Sequence, residues 1–294
     1  ERRRLRCIKM RGVKFRGGYH DFTIERGGVH VYPRLVAADH HVDYAAGVIG
    51  SDVPELDSLV GGGLDRGTST LIIGPSGSGK SSLALQFVYA ALKRGEPALA
   101  LVFDEIRSVF LRRAAGMGFE LRPFIDQGLL QLKQIDPAEL TPGELTARVR
   151  DAVEGHGARI VVLDSLSGYL NAMPEEHFMM LQMHEMLSYL NQQGIVTILV
   201  LAQHGMVGQM ASPVDLTYLS DAVIMLRFFE AGGRLRRALS VLKKRTGHHE
   251  ETIREYRISA HGVSVGHALT EFQGVLTGVP TYTGAEADLL NEAP

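Results

Sequence analysis

The apolar and polar positions divide this chain into short apolar runs separated by longer amphipathic stretches. Runs over 98–103 and 160–163 are apolar throughout rather than alternating, as expected of strands buried on both faces of a sheet, 70–73 and 195–201 are apolar and β-branched, and 129–135 and 222–229 give further strands. Between them, 82–93, 106–117, 142–154 and 175–193 carry apolar residues at helical spacing. Gly95 and Gly194 stop two of these stretches, and Thr141-Pro142-Gly143-Glu144 opens another as a capping box with proline at the first helical position. After residue 229 the pattern changes. Gly232-Gly233 turns the chain into a basic and apolar run to Arg245, and two further short strands end near Val265. The expected architecture is α/β, with a mostly parallel central sheet, helices on both faces and antiparallel strands on its C-terminal side. Met179, Met180, Met183 and Met186 line one side of the last long helix, which predicts core packing against the sheet.

One junction between these elements carries chemistry. The β-branched run at 70–73 ends on Gly74, and Pro75-Ser76-Gly77-Ser78-Gly79-Lys80-Ser81 then leads into the amphipathic stretch, matching GxxxxGK[ST] between a strand and a helix. Gly74, Gly77 and Gly79 let the backbone curl so that its N–H groups, with Ser76 and Ser78 among them, converge at the positive end of the following helix. That geometry predicts a polyphosphate site. Lys80 would neutralise the β and γ phosphates of ATP, Ser81 would bind Mg²⁺, and Ser82 is their neighbour.

The remaining candidates stand where an open α/β sheet presents its ligands, at the carboxyl ends of strands. Asp164 closes the strand 160–163 and suits a second Mg²⁺ contact through water, with a helix N-cap as its structural alternative. Asp104 and Glu105 end the strand 98–103 and could orient the attacking water, Glu105 first and Asp104 second, although either could be a solvated strand end. Gln203, after the strand 195–201, could sense the γ phosphate by its amide or simply cap the strand.

Composition narrows the setting. With 294 residues, 45% hydrophobic and 22% charged, the chain can bury a full core, and a formal net charge of -2 gives it no electrostatic reason to seek nucleic acid or membrane. Its single cysteine, Cys7, excludes an internal disulfide framework, and no apolar run approaches the ~18 residues of a membrane span. A cytoplasmic location is the expectation.

The first 34 residues hold ten Lys or Arg against three Asp or Glu, which alone would suggest a nucleic-acid arm. A repeat explains them better. Shifted by 234 positions, 2–35 aligns without a gap on 236–269, with identities that include Arg3/Arg237, Leu5/Leu239, Lys9/Lys243, Arg11/Arg245, Ile24/Ile258, Gly28/Gly262, Val29/Val263 and Val31/Val265. Residues 1–35 are therefore expected to be the closing strands of a preceding copy and 36–48 a linker in which His40 and His41 are solvated. A domain over 49–279 follows, with a mobile tail at 280–294.

Residues 54–67, the loop from Gly74 to Ser81, the Asp104-Glu105 pair, the strand end Leu163-Asp164-Ser165 and Lys243-Lys244-Arg245 together resemble the RecA-superfamily ATPases, specifically the KaiC-like branch. The resemblance implies a RecA-like P-loop NTPase fold and a homo-oligomer, a hexameric ring with ATP between subunits. In it, Lys243 and Arg245 would reach across to the next subunit's γ phosphate. Without the resemblance, Lys243 and Arg245 read as outward charges on an edge strand. The family's clock protein phosphorylates itself on an adjacent Ser-Thr pair, where this chain has Thr217 and Tyr218, leaving Thr217 as the candidate phosphoacceptor. Three functions follow as expectations. The first is a ring ATPase in signalling with a protein partner, with Ser/Thr autokinase activity open. The second is a DNA-dependent recombinase or helicase, disfavoured because 204–220 contains no Lys or Arg, and the third is a non-hydrolysing nucleotide-responsive scaffold.

Overall fold

A computed structural model of the chain describes residues 3–172, 176–203, 216–276 and 280–282. Residue 175, most of the 204–220 segment and nearly all of the expected tail lie outside the described residues. Strands β1 (Arg3–Leu5), β2 (His20–Glu25) and β3 (Gly28–Tyr32) form an antiparallel sheet of their own. β4 (Val48–Ile49) leads to α1 (Pro54–Leu59) and pairs with β5 (Leu64–Asp65). The body then runs β6 (Ser69–Gly74), α2 (Lys80–Lys93), β7 (Ala98–Val102), α3 (Arg107–Gly116), α4 (Arg122–Asp126), β8 (Leu130–Gln134), α5 (Pro142–Glu154), β9 (Ile160–Asp164), α6 (Leu166–Asn171), α7 (Glu176–Gln192) and β10 (Val196–Ala202). It continues with β11 (Ala222–Ala231), β12 (Arg234–Lys244), β13 (Arg254–Ser259) and β14 (Gly262–Ala268), and a small pair, β15 (Phe272–Gln273) and β16 (Thr281–Tyr282), closes it.

The nine-stranded sheet is ordered β14-β13-β12-β11-β6-β10-β9-β7-β8, parallel from β11 to β8 and antiparallel from β11 to β14. β6 lies between β11 and β10, and all six of its residues are buried, which is why the sequence shows an uninterrupted apolar run there. Register then places the functional ends side by side: Ala202 pairs with Gly74, and Val102 with Asp164. Alternation along β6 sends Ile72 into a core with α1, α2 and α3, and Leu71 and Ile73 into one with α5, α6 and α7. The methionine stripe packs in the second core, with Met179, Met183 and Met186 almost fully buried.

Aperiodic residues 36–48 are nonetheless held. The Ala37 N–H donates to the Glu185 carboxylate of α7 (3.1 Å), and Val42 N–H to the Gln192 carbonyl (3.4 Å). His40 is half-buried with its ring edge-on to Tyr189 at 5.2 Å, so the expectation of a solvated His40 is corrected, whereas His41 is exposed. Irregular backbone carries no period, so contacts of this kind leave no trace in the apolar pattern.

The two halves of the sequence repeat have the same local structure. β1 pairs with β2 at Arg3↔Phe22 and Leu5↔His20, and β12 with β13 at Arg237↔Tyr256 and Leu239↔Arg254, each residue displaced by the same 234 positions. β2–β3 and β13–β14 agree likewise, with Ile24↔Val29 answering Ile258↔Val263. The N-terminal sheet is fixed to the body by buried Asp21, whose carboxylate accepts the Gly143 N–H (2.7 Å) in the first turn of α5.

Candidate active site

Residues 75–79 connect the buried strand β6 to α2 and curl over a cleft of about 420 Å³. Gly79 caps α2 with φ of +97°, and a Cβ there would lie 2.6 Å from Ile258 Cδ1 and 2.9 Å from Tyr256 Cε1, so the position admits only glycine. Gly74 is equally constrained, since a Cβ would sit 2.5 Å from the Leu226 carbonyl oxygen. The Tyr256 hydroxyl donates to the Gly79 carbonyl (3.0 Å) and the Ser78 hydroxyl to the Pro75 carbonyl (2.8 Å). Burial pushes the Tyr256 phenol up, which keeps that hydroxyl a proton donor.

Lys80 begins α2 nearly buried, and its Nζ donates to the Pro75 carbonyl at 2.7 Å. Burial lowers its pKa to about 8, partly countered by the Asp164 charge. A buried ammonium resting on a carbonyl of its own loop is a cation positioned for an anion. Ser81, one residue on, donates its hydroxyl to Asp164 Oδ1 at 2.9 Å. Burial pushes the Asp164 carboxyl up, while the Ser81 hydrogen bond and the Arg113 guanidinium pull it back down. The Asp164–Ser165 peptide is cis.

The two strand-end carboxylates have different partners. Asp104 is engaged by the Ser165 hydroxyl (2.7 Å) and lies against Gly168 of α6. Glu105 is gripped by Arg113, with Nη2 at 2.8 Å from Oε2 and Nε at 3.2 Å from Oε1. Both groups line the cleft with Ser76, Gly77, Gly79, Lys80, Ser81, Ser82 and Asp164. Gln203 approaches the loop through its backbone, N–H to the Gly74 carbonyl (2.9 Å), but its side chain does not line the cleft. Lys243, Arg245 and Thr217 also stand away from it. The Lys243 ammonium donates to the Thr217 and Ser220 carbonyls, both at 2.8 Å, and Arg245 donates to the Tyr218 carbonyl (3.0 Å) and faces Asp221 (3.4 Å). Of the glycines after α1, Gly61 lies against the His248 carbonyl and Lys244, Gly63 accepts from Lys244 (3.3 Å), and neither these nor Gly62 take part in the lining.

Two lining groups, Arg113 and Ile258, carry no sequence motif, nor does Tyr256, which holds the loop from behind, and only the 234-residue repeat marks Ile258. The donor set fits a magnesium-bound polyphosphate. Glycine-lined N–H groups and Lys80 present positive charge, while the Ser81 hydroxyl and Asp164 carboxylate supply hard oxygen ligands. Among the described residues there is no group of three or more His, Cys, Asp or Glu that could hold a metal ion. Larger clefts of about 880 and 640 Å³ contain no part of the glycine loop.

Comparison with known proteins follows the same line. The family model described as "ATPase: KaiC" matches residues 49–270. The chain is 26% identical over 285 residues to the circadian clock oscillator protein KaiC of Acaryochloris marina (strain MBIC 11017), covering 95% of this chain and 53% of that protein. It is 28% identical to the circadian clock protein KaiC3 of Synechocystis sp. (strain ATCC 27184 / PCC 6803 / Kazusa), with 96% and 56% covered. Against the circadian clock protein KaiC2 of the same organism it is 29% identical, with 94% and 49% covered. The chain thus spans about half the length of the curated relatives it matches.

Proposed function

The chain belongs to the KaiC family of ATPases, and from that premise we propose that it binds Mg-ATP in the cleft of the glycine loop that Tyr256 holds and hydrolyses it at an interface between copies arranged as a hexameric ring. One observation carries the reading: Lys80, the Ser81–Asp164 pair and Glu105 meet at a single cleft whose floor is a glycine loop. Backbone N–H groups and Lys80 hold the phosphates, and Ser81 with Asp164 would hold the metal. Bound there, Mg²⁺ neutralises phosphate charge and favours in-line attack. Glu105, held in place at the cleft by the Arg113 fork, orients the attacking water, with Asp104, which accepts from Ser165, as the second candidate. Lys243 and Arg245, absent from their own chain's cleft, complete a neighbour's site. The relatives' clock names support a signalling output, and Thr217, exposed beside Lys243, is the phosphoacceptor if the ring modifies itself.

Native mass measurement with and without Mg-ATP tests the ring directly. Assembly to six copies with nucleotide, together with phosphate release, is the expected result, and an ATP-saturated monomer that releases phosphate at the full rate would end the interface proposal. The same spectra report any phosphate gained at Thr217.

Residues 1–35 belong, in this reading, to a preceding KaiC-like domain. Shared register supports it, and so does the face that the N-terminal sheet leaves uncovered. Val263 and Val265 are buried against α2, whereas their counterparts Val29 and Val31 are 59% and 37% exposed. Val263→Asp is expected to destabilise the folded domain by about 3 kcal/mol, because a carboxylate would be buried without a partner. Val29→Asp should change stability by less than about 0.5 kcal/mol. Urea denaturation of both variants checks the contrast, and comparable losses would mean that residues 28–32 are part of this domain's own core.

A further inference from the structure

Arg113 lies outside every motif in the chain. It falls on the last turn of α3, eight residues after Glu105, where a charged helix position ordinarily points to solvent. Instead the chain bends at residues 103–105, and α3 carries Arg113 to the cleft that holds Lys80, Ser81 and Asp164. The Phe110 ring supports it from one side at 5.0 Å. Its Nε and Nη2 edge is fully used by the two Glu105 oxygens. Nη1, by contrast, is buried and has no hydrogen-bond partner. A guanidinium is planar and rigid, so fixing one edge on Glu105 also fixes the direction of the free nitrogen. An unsatisfied guanidinium donor on a side chain that lines the same cleft as an anion-binding loop is a vacant contact for an anion.

We infer that Arg113 is a second cation of the nucleotide site, supplied by the same chain. One edge of its guanidinium positions Glu105, and its Nη1 binds an oxygen of the terminal phosphate that distinguishes ATP from ADP. The terminal phosphate is specified by placement, since Glu105 orients the water that attacks it and Arg113 is locked to Glu105. This assignment rests on the nucleotide-binding role of the cleft and adds to it a determinant of triphosphate over diphosphate. A guanidinium that merely staples α3 to the strand end would contribute to folding and leave that preference untouched.

The test measures binding of fluorescent ATP and ADP analogues, with Mg²⁺, to the full chain carrying Arg113→Ala or Arg113→Lys, with Lys80→Ala as control. In the wild type, ATP is expected to bind more tightly than ADP. Arg113→Ala should shrink that preference by about tenfold or more while ADP affinity changes little. Arg113→Lys, which keeps the charge but lacks the fork, should retain part of the preference and still lose turnover. An unchanged ATP-to-ADP ratio in Arg113→Ala overturns the assignment. If that variant does not fold, an unchanged ratio in Arg113→Lys overturns it equally. Failure of the underlying reading looks different: the wild type would bind neither analogue, or Lys80→Ala would bind both as the wild type does.

Discussion

Lys80→Ala is expected to lose ATP binding by about a hundredfold or more and turnover with it, while the fold stays intact. Two features of the cleft support that split. The ammonium is nearly buried, and its hydrogen bond runs only five residues back, to the Pro75 carbonyl, so no long-range hydrogen bond is lost with it. Removing it should cost the unliganded protein about 1 kcal/mol, the value of one modest hydrogen bond. The bound state loses far more. Burial has already lowered the Lys80 pKa to about 8, and phosphate oxygens would restore the fully charged form in a site where few waters screen it. Thermal unfolding with and without Mg-ATP separates the two terms. The wild type should gain about 2.7 kcal/mol at a hundred times its Kd, and Lys80→Ala almost nothing. A variant that kept the nucleotide-induced shift would show that the phosphates bind elsewhere.

How much of this site the sequence discloses depends on how local each part is. The loop and its helix are contiguous, so spacing alone fixes Lys80 and Ser81 at the end of β6, and the boundaries of β6, β9 and β10 follow from uninterrupted apolar runs. Asp164 is legible because a strand-end carboxylate can be placed once the strand is. Tyr256 is not. It reaches Gly79 from 177 residues away, through an antiparallel strand whose lateral position depends on the whole order of the sheet. Arg113 is hidden for another reason. Arg112 and Arg113 look like solvated charge on an amphipathic helix, and only the angle at which α3 leaves residue 106 turns one of them inward. The short helices α4 and α6 also leave little periodic signal, being barely longer than one turn. Repeats are the exception to this dependence on locality. The repeat of 2–35 in 236–269 is matched by shared pairing register at most positions, because identical side-chain alternation selects identical strand pairing, with a bulge between Arg254 and Tyr256 as the difference.

Arg245→Ala should lose hydrolysis by a factor on the order of 10³ to 10⁵ and keep ATP binding, provided that the side chain serves a neighbour. Its position makes this a sharp test. Arg245 follows the end of β12, and β12 is separated from β6 by β11, so its guanidinium lies beyond the chain's own phosphate loop. There it is 53% exposed and bonds the Tyr218 carbonyl beside Asp221, contacts on a surface turn whose loss should cost about 1 kcal/mol or less. If each chain hydrolysed ATP alone, the substitution would therefore change little. Mixing variants makes the distinction stronger. Arg245→Ala subunits retain Lys80, and Lys80→Ala subunits retain Arg245, so each homogeneous assembly is inactive. In a random equimolar ring, roughly a quarter of interfaces would pair an intact loop with an intact finger. Recovery of about that fraction of wild-type turnover is the expected result, measured as phosphate release after the two proteins are exchanged. A mixture as inactive as its parts would place Arg245 in the structure of its own turn instead, and equal loss of binding and hydrolysis in Arg245→Ala alone would say the same.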